Sequence, residues 1–525
     1  MSKRKKLWLS GIALVVLILL AGGYIAASII AKQFEPRMRA EAIKYLSNRF
    51  HSEVELGALH INRPKMSTFQ ILLRHGRGAI VAVEGDDLSM RSAGDRTGPP
   101  LFVIKKVRFT VDLGVLFEPK KSVNYVTLDG MEINVPPKDE RPIMSGGEKS
   151  GGENSNSGVL IQNVQINDAV LALLPKEAGR QPLRFNIARL HLQSVGENSA
   201  MRYAADLAIP KPPGTLKSTG NFGPWNASAP GDTPLKGNYT FDNADLGIFA
   251  AIAGTLSSKG TFDGSLNSVK VQGTTYVPNF ALKMAGNPLS LSTTFEAQVD
   301  GTNGNTVLQP VRATLGHTNF TTTGAVIKHE EYSRRSINLE VTMPNGDMRD
   351  LLRLSMKGPP FLEGFINMKS SIGIPPLTGT VEQKLLLDGT FDLHDAQFLK
   401  STIQHEIDQL SRRGQGEPKN EEIDEVVSEM QGSFHMENAV LTFRSLAFEV
   451  PGADISVAGK YDMGHDQLDF RGAVKLNAKL SQTVTGWKRW LLKPVDPLFA
   501  KNGAGTFVKI RIEGNTHHPQ FGLDY

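Results

Sequence analysis

Strict alternation of apolar and polar residues recurs along most of the chain. Val107, Phe109, Val111 and Leu113 fall on one side of such a run and Arg108, Thr110 and Asp112 on the other; Met131, Ile133 and Val135 alternate with Glu132 and Asn134. The same two-residue period returns at Ile337, Leu339, Val341 and Met343, at Val474, Leu476, Ala478 and Leu480, and at Val508, Ile510 and Ile512. Successive side chains of a strand point to opposite faces, so each run predicts a strand with one apolar and one wet face. A short phrase, Gly then a small or polar residue then Phe or Tyr, accompanies many of them. It occurs at Gly237-Asn238-Tyr239, Gly260-Thr261-Phe262, Gly389-Thr390-Phe391, Gly432-Ser433-Phe434, Gly459-Lys460-Tyr461 and Gly505-Thr506-Phe507. The irregular intervals argue against a fixed-period solenoid and predict a long antiparallel meander with Gly at its turns or edges.

The period changes at a few places. From Leu7 to Ala31 the chain is apolar and uncharged, preceded by Lys3, Arg4, Lys5 and Lys6 and closed by Lys32. That run matches the length of a bilayer-spanning helix and exceeds the apolar core of a cleaved signal peptide. The cationic flank predicts an N-terminus in the cytoplasm and a body on the far side. From Lys32 to Phe50, Phe34, Met38, Ala42 and Leu46 fall near helical spacing, which predicts a helix leading to the first strand. Between His394 and Gln431, Leu399, Ile403, Ile407 and Leu410 share one helical face. Gly414 to Pro418 interrupts it, and Ile423, Val426 and Met430 resume it. This predicts a helical hairpin inserted in the sheet, covering a sheet edge or end, or else binding a partner. The stretch 144–158, MSGGEKSGGENSNSG, buries too little to order itself. The resulting plan is a tail (1–6), an anchor (7–31), a helix and first β segment (32–143), a Gly/Ser loop (144–158), a central β region (159–392), the helical insertion (393–432) and a last β segment (433–525).

Charge adds one point to that plan. Four of the 58 Lys and Arg precede the anchor, so the body beyond it is nearly neutral against 53 Asp and Glu, which gives no support to a nucleic-acid-binding face. The absence of Cys removes disulfides, thiol chemistry and lipid-modified cysteine, leaving burial and backbone pairing to hold the fold.

Motifs for chemistry are weak. His405-Glu406 begins like a zinc-protease helix, but Gln409 stands where the second His should fall one turn on. His517-His518 has no acidic or Cys neighbours and reads as a solvated turn before Pro519. Gly301-Thr302-Asn303-Gly304 reads as a hairpin turn, and Asp347 and Asp350 as a turn and a helix start. No Walker loop, dinucleotide fingerprint or nucleophile elbow is present. No catalytic residue, metal or cofactor is therefore expected. The segment Gly486 to Lys501 interleaves Trp487, Trp490, Leu491, Leu492, Leu498 and Phe499 with Lys488, Arg489, Lys493 and Lys501, while Pro494 and Pro497 forbid a long helix. Two readings are open: a membrane-interface element carried by Trp487, Trp490, Lys488 and Arg489, or an aromatic plug packed under the end of the sheet.

Over nearly its full length the chain resembles the AsmA family of bacterial envelope proteins. The resemblance is carried by the anchored start, by AEAIKYLSNRFHSEVELGALHI, by VQGTTYVPNFALKMAGNPLSLSTTFEAQVDGTNGNT, by MQGSFHMENAVLTFRSLAFEVPGADISVAGKYD and by LLKPVDPLFAKNGAGTFVKIRIEGNTHHPQFGLDY. Such proteins are similar to bridge-like lipid transfer proteins. The resemblance implies a mainly β fold: an elongated, twisted antiparallel sheet curled into an open apolar groove behind a single inner-membrane helix. It implies a periplasmic body that carries phospholipid acyl chains toward the outer membrane, with membrane lipids and outer-membrane or envelope proteins as partners. Candidate groove residues are Val107, Phe109, Val111, Ile337, Leu339, Val341, Val474, Leu476, Leu480, Val508, Ile510 and Ile512. The alternation alone leaves a lipid groove and a closed protein core both open. A non-enzymatic scaffold assisting outer-membrane protein or polysaccharide assembly is the alternative function.

Overall fold

A computed structural model describes residues 34–50, 52–62, 66, 77–92, 98–112, 114, 121–137, 159–175, 181–196, 199–224, 226, 229–329, 331–332, 334–500, 505–515 and 518–524. The expected tail, the anchor 7–31 and the loop 144–158 lie outside them. Among the described residues no helix is long and apolar enough to cross a membrane. The fold is mainly β and its sheet is open, not closed into a barrel. It divides into two compact units. The first takes the described part of Met1–Asp245 with Ser257–Gln272 and Asp300–Thr302, and the second takes Leu246–Leu256, Gly273–Val299 and the rest from Asn303.

In the first unit, α1 (Phe34–Phe50) is followed by β1 (Ser52–Asn62), β2 (Ile80–Ser92), β3 (Phe102–Asp112), β4 (Lys121–Val135), β5 (Val159–Leu173), β6 (Leu183–Val195), β7 (Met201–Pro210), β8 (Pro213–Phe222) and β9 (Pro234–Asp245). Sequence neighbours pair antiparallel, as expected, except that β4 and β5 run parallel, Val126 facing Val164. A hairpin cannot join parallel strands, and the long connection that contains 144–158 is what makes this pairing possible. The alternation then builds a filled core. Val81, Val83, Ile104, Val126, Ile161 and Val164 are buried from successive strands, and Leu46 and Ala42 of α1 join them, Leu46 with no exposure at all.

β10 (Ile252–Ala253) belongs to the second unit, and β11 (Thr255–Ser265) and β12 (Ser268–Leu282) contribute residues to both. The remaining elements fall in the second unit. It holds β13 (Leu289–Val299), β14 (Thr306–Leu315), β15 (Thr318–Lys328), β16 (Arg335–Asp347), α2 (Met348–Ser355), β17 (Leu362–Ile374), β18 (Leu386–Phe398), α3 (Ser401–Gly414), β19 (Ser428–Glu437), β20 (Val440–Val450), β21 (Ala453–Asp462), β22 (Gln467–Leu476), α4 (Trp487–Leu492), α5 (Asp496–Phe499), β23 (Thr506–Gly514) and β24 (Pro519–Leu523). Sequence neighbours from β13 to β24 all pair antiparallel.

The predicted helical hairpin is half right. The run through Ile407 and Leu410 forms α3, which packs on Phe448, Val450 and Ala453. The second half is not helical: Ile423 and Val426 lie on an irregular return, with Glu425 between them at φ 50°, and Met430 is already in β19. Side chains of α3 hold that return. Arg412 Nε donates to the Ile423 carbonyl at 2.7 Å, Asp408 accepts the Val426 N–H at 3.0 Å, and Gln404 Nε2 donates to the Val426 carbonyl at 3.0 Å. Backbone groups satisfied from outside have no need of a helix. His394 and Phe398, counted within the insertion, belong instead to β18.

Candidate functional site

In an antiparallel pair, directly opposed residues share a face, so the register of β16 to β23 traces rows of side chains across the sheet. One row joins Leu339, Ile372, Leu387, Met436, Leu441, Tyr461 and Leu468. A second joins Val341, Ser370, Gly389, Phe434, Phe443, Gly459, Phe470 and Ile512. A third joins Ile366, Leu393, Met430, Phe448, Ile455, Val474 and Val508. Across eight strands at ~4.8 Å, a full row is about 34 Å long, near the ~30 Å hydrocarbon thickness of a bilayer.

Glycine keeps the middle row level. Gly389 faces Phe434 and Phe391 faces Gly432, each glycine lying under the other strand's ring: a Cβ at Gly389 would stand 2.7 Å from Phe434 Cζ, and one at Gly432 2.8 Å from Phe391 Cε1. Gly459 sits between Phe443 and Phe470, whose ring centroids are 6.0 Å apart, and a Cβ there would stand 2.7 Å from Phe470 Cγ. The Gly-aromatic phrases at 389, 432 and 459 therefore lie inside strands, where the meander reading put Gly at turns or edges. The missing side chain leaves a bay that the neighbouring ring fills, which is how an aromatic offsets the weakness of a strand glycine.

Cover over these rows is uneven. Helix α2 closes one end through Leu352 and Met348 against Ile366 and Leu393, and α3 closes the neighbouring part at Phe448. The row from Leu339 to Leu468 lies outside both of these clusters, with a one-turn helix, Val381–Lys384, in the connection between β17 and β18 at its side, and all its members except Met436 stay half-exposed. The opposite face carries the charges. There the Asp388 carboxyl accepts hydrogen bonds from His435 and Arg444, which hold it below its ordinary range, the His435 bond contributing most; His394 pairs with Glu429 at 2.6 Å.

The sequence-derived groove residues thus separate into two sets. Val107, Phe109 and Val111 are 5, 5 and 2% exposed inside the filled core of the first unit, so they face packed protein and no open groove. Ile337, Leu339, Val474, Leu476, Val508, Ile510 and Ile512 lie on the apolar face of the second unit, half-buried, with Val341 buried among them. Leu480 departs from the strand reading: β22 ends at Leu476, and Leu480 begins a short 3-10 turn, Leu480–Gln482. Sequence reasoning missed Phe391, Phe434, Phe443 and Phe470 as members of this face; the Gly-aromatic phrase was the signal for Phe391 and Phe434, while Phe443 and Phe470 stand in no such phrase and are placed only by their pairing with Gly459.

The remaining motifs are structural. Asp347 caps the start of α2, and Arg349 hydrogen-bonded to it depresses its carboxyl. Asp350, buried, accepts the His317 N–H at 2.7 Å and the Thr318 hydroxyl at 3.0 Å. His405 and Gln409 hydrogen-bond along α3 at 2.8 Å. Residues 301–303 form the turn between β13 and β14, with the Thr302 N–H held by Asp300. Among the described residues no three His, Asp or Glu converge as metal ligands.

The Trp-rich segment divides the two sequence readings. Trp490, Leu491 and Leu498 are 81, 59 and 73% exposed, so these three are not packed as a plug, and Lys488, Arg489 and Lys493 are exposed around them. Of Trp487 only the backbone is described, at the start of α4. Pro494 and Pro497 break the segment into α4, a 3-10 turn and α5. Asp496 anchors it from beneath: the carboxylate is buried and accepts the Ser481 N–H and hydroxyl, each at 2.7 Å. Burial pushes this carboxyl up, but the two Ser481 hydrogen bonds, with Lys479 and Lys493, outweigh it and hold it below its ordinary value.

Compared with protein-family models, with curated proteins and with solved structures, the chain has no match. The resemblance to the AsmA family accordingly rests on the residue patterns alone.

Proposed function

We propose that the chain is a lipid-transfer protein, held in the bacterial inner membrane by residues 7–31, whose periplasmic body carries phospholipid acyl chains toward the outer membrane along the apolar face of the second unit. The observation that carries this reading is the half-exposed row from Leu339 to Leu468, running across the strands outside the clusters that α2 and α3 close. Exposing an acyl chain to water costs ~0.8 kcal/mol per CH₂, so about fifteen methylenes face ~12 kcal/mol. A continuous apolar row supplies the missing solvent, and its near-uniform composition lets a chain slide without deep traps. Charged residues on the opposite face keep the outer side wetted.

Photo-crosslinking in cells tests it. A photoreactive amino acid at Leu339 or Leu441 is expected to give lipid adducts by mass spectrometry, and the same group at the outward Arg444 or the core Phe109 is not. Protein adducts at Leu339 and Leu441, with no lipid, would replace this reading by the envelope scaffold.

A further inference from the structure

The connection between β22 and β23 buries some of its apolar residues and presents others. Leu492, Val495 and Phe499 are half-buried, whereas Trp490, Leu491 and Leu498 point outward from the same two short helices. The charge around them is one-sided. From Asn477 to Thr506 the sequence holds Lys479, Lys488, Arg489, Lys493 and Lys501 against a single carboxylate, Asp496, and that carboxylate is buried and committed to Ser481. Lys479 and Lys493 share the field of that one carboxylate, and no further carboxylate in the segment is left for the exposed Lys488 and Arg489.

Position matters as well. The segment is inserted at the strand ends beside the third apolar row, since Leu476 pairs with Thr506 and the next pair inward on the same face is Val474 with Val508, whereas the half-exposed row crosses β22 at its other end, at Leu468. Asp496 and the 3-10 turn at Leu480 tie it to that end. Large exposed apolar side chains rimmed by exposed cations match a bilayer surface with anionic headgroups: Trp and Leu enter the headgroup–acyl boundary while Lys and Arg meet phosphate.

We propose that Trp490, Leu491 and Leu498, with Lys488, Arg489 and Lys493, form a docking surface for an anionic phospholipid bilayer, set at the end of the apolar face. It rests on the transfer reading only in giving the body of that protein a bilayer to meet; the contact itself stands on different residues and is read by a different experiment.

The full chain is held in nanodiscs of zwitterionic phosphatidylcholine, so that its N-terminal segment is already occupied, and capture of separate vesicles is measured by flotation. Vesicles containing about a third phosphatidylglycerol are expected to be captured at least tenfold better than pure phosphatidylcholine vesicles, and less so as salt is raised. Trp490→Ser combined with Leu498→Ser is expected to reduce capture at least tenfold. Lys488→Gln combined with Arg489→Gln is expected to remove the preference for anionic lipid while leaving weak capture. The substituted side chains are exposed, and unchanged thermal unfolding confirms that each variant is folded. No capture by the unsubstituted chain, capture indifferent to headgroup charge, or undiminished capture by the Trp490/Leu498 variant overturns the proposal. Self-association of the nanodisc-held chain, lost in that variant without any vesicle capture, would instead make a second copy the occupant. Lipid adducts at Leu441 together with no vesicle capture would retain the transfer reading and reject this one.

Discussion

The two units write the same alternating pattern and use it differently. In the first, residues such as Val107 and Phe109 belong to one filled cluster with the inward residues of neighbouring strands and with Leu46 of α1, and almost nothing of them is exposed. In the second, Leu339, Leu441 and Leu468 alternate just as regularly and remain half-exposed, because α2 and α3 cover other rows. An alternating strand specifies that one face is apolar; it does not specify what the face is apolar for. What separates a core from an open surface is a covering element, and that element comes from elsewhere in the chain.

The comparison makes contrasting substitutions informative. Leu46→Ala removes the fully buried leucine of α1 and is expected to cost about 2–5 kcal/mol, measured by chemical denaturation. Gly459→Val, whose Cβ would clash with the Asp469 carbonyl oxygen and Phe470 Cα before it reached the Phe470 ring, is expected to cost at least about 1–3 kcal/mol by overpacking, whereas Gly464→Ala, whose Cβ would meet only Asp462 Oδ1 at 3.3 Å, should stay within about 0.5 kcal/mol. Leu339→Asp, on the uncovered row, is expected to cost only about 1–2 kcal/mol while abolishing lipid adducts at neighbouring positions. If Leu339→Asp instead unfolds the second unit as completely as a charge would unfold the first, the contrast fails and the row is part of a closed core.

The smallest effect is a pH dependence at the Trp-rich segment. The Asp496 carboxyl is held below its ordinary value of 3.8, so its contribution to stability is fully present above that value and is lost as pH falls through the lower folded value. Tryptophan fluorescence should therefore be steady from neutral pH to about 5 and change only below 3.8; Asp496→Asn should remove that acid step. A step near neutrality would place the titration on another group.

The legible and illegible parts of this fold divide by range. The helical spacing of Ala42 and Leu46 predicted α1, and the runs at 107–111, 131–135, 337–343 and 508–512 are all strands. The predicted second helix of the insertion failed because Ile423 and Val426 satisfy their backbone on side chains of α3, a contact that local periodicity does not contain. The Gly-aromatic phrase was visible, but its meaning lies in register: only pairing shows that Gly389 lies under Phe434 and Gly432 under Phe391.

The sequence by itself determined the strands, their two-faced character and the one-sided charge of the Trp-rich segment, since these depend on a side-chain period of two and on composition within a few residues. The tertiary structure alone decided which apolar faces are filled, that β4 and β5 run parallel, and that Trp490, Leu491 and Leu498 face outward. Those outcomes depend on contacts between residues far apart in the chain. A local pattern records that a residue is apolar, and only the packing records what lies against it.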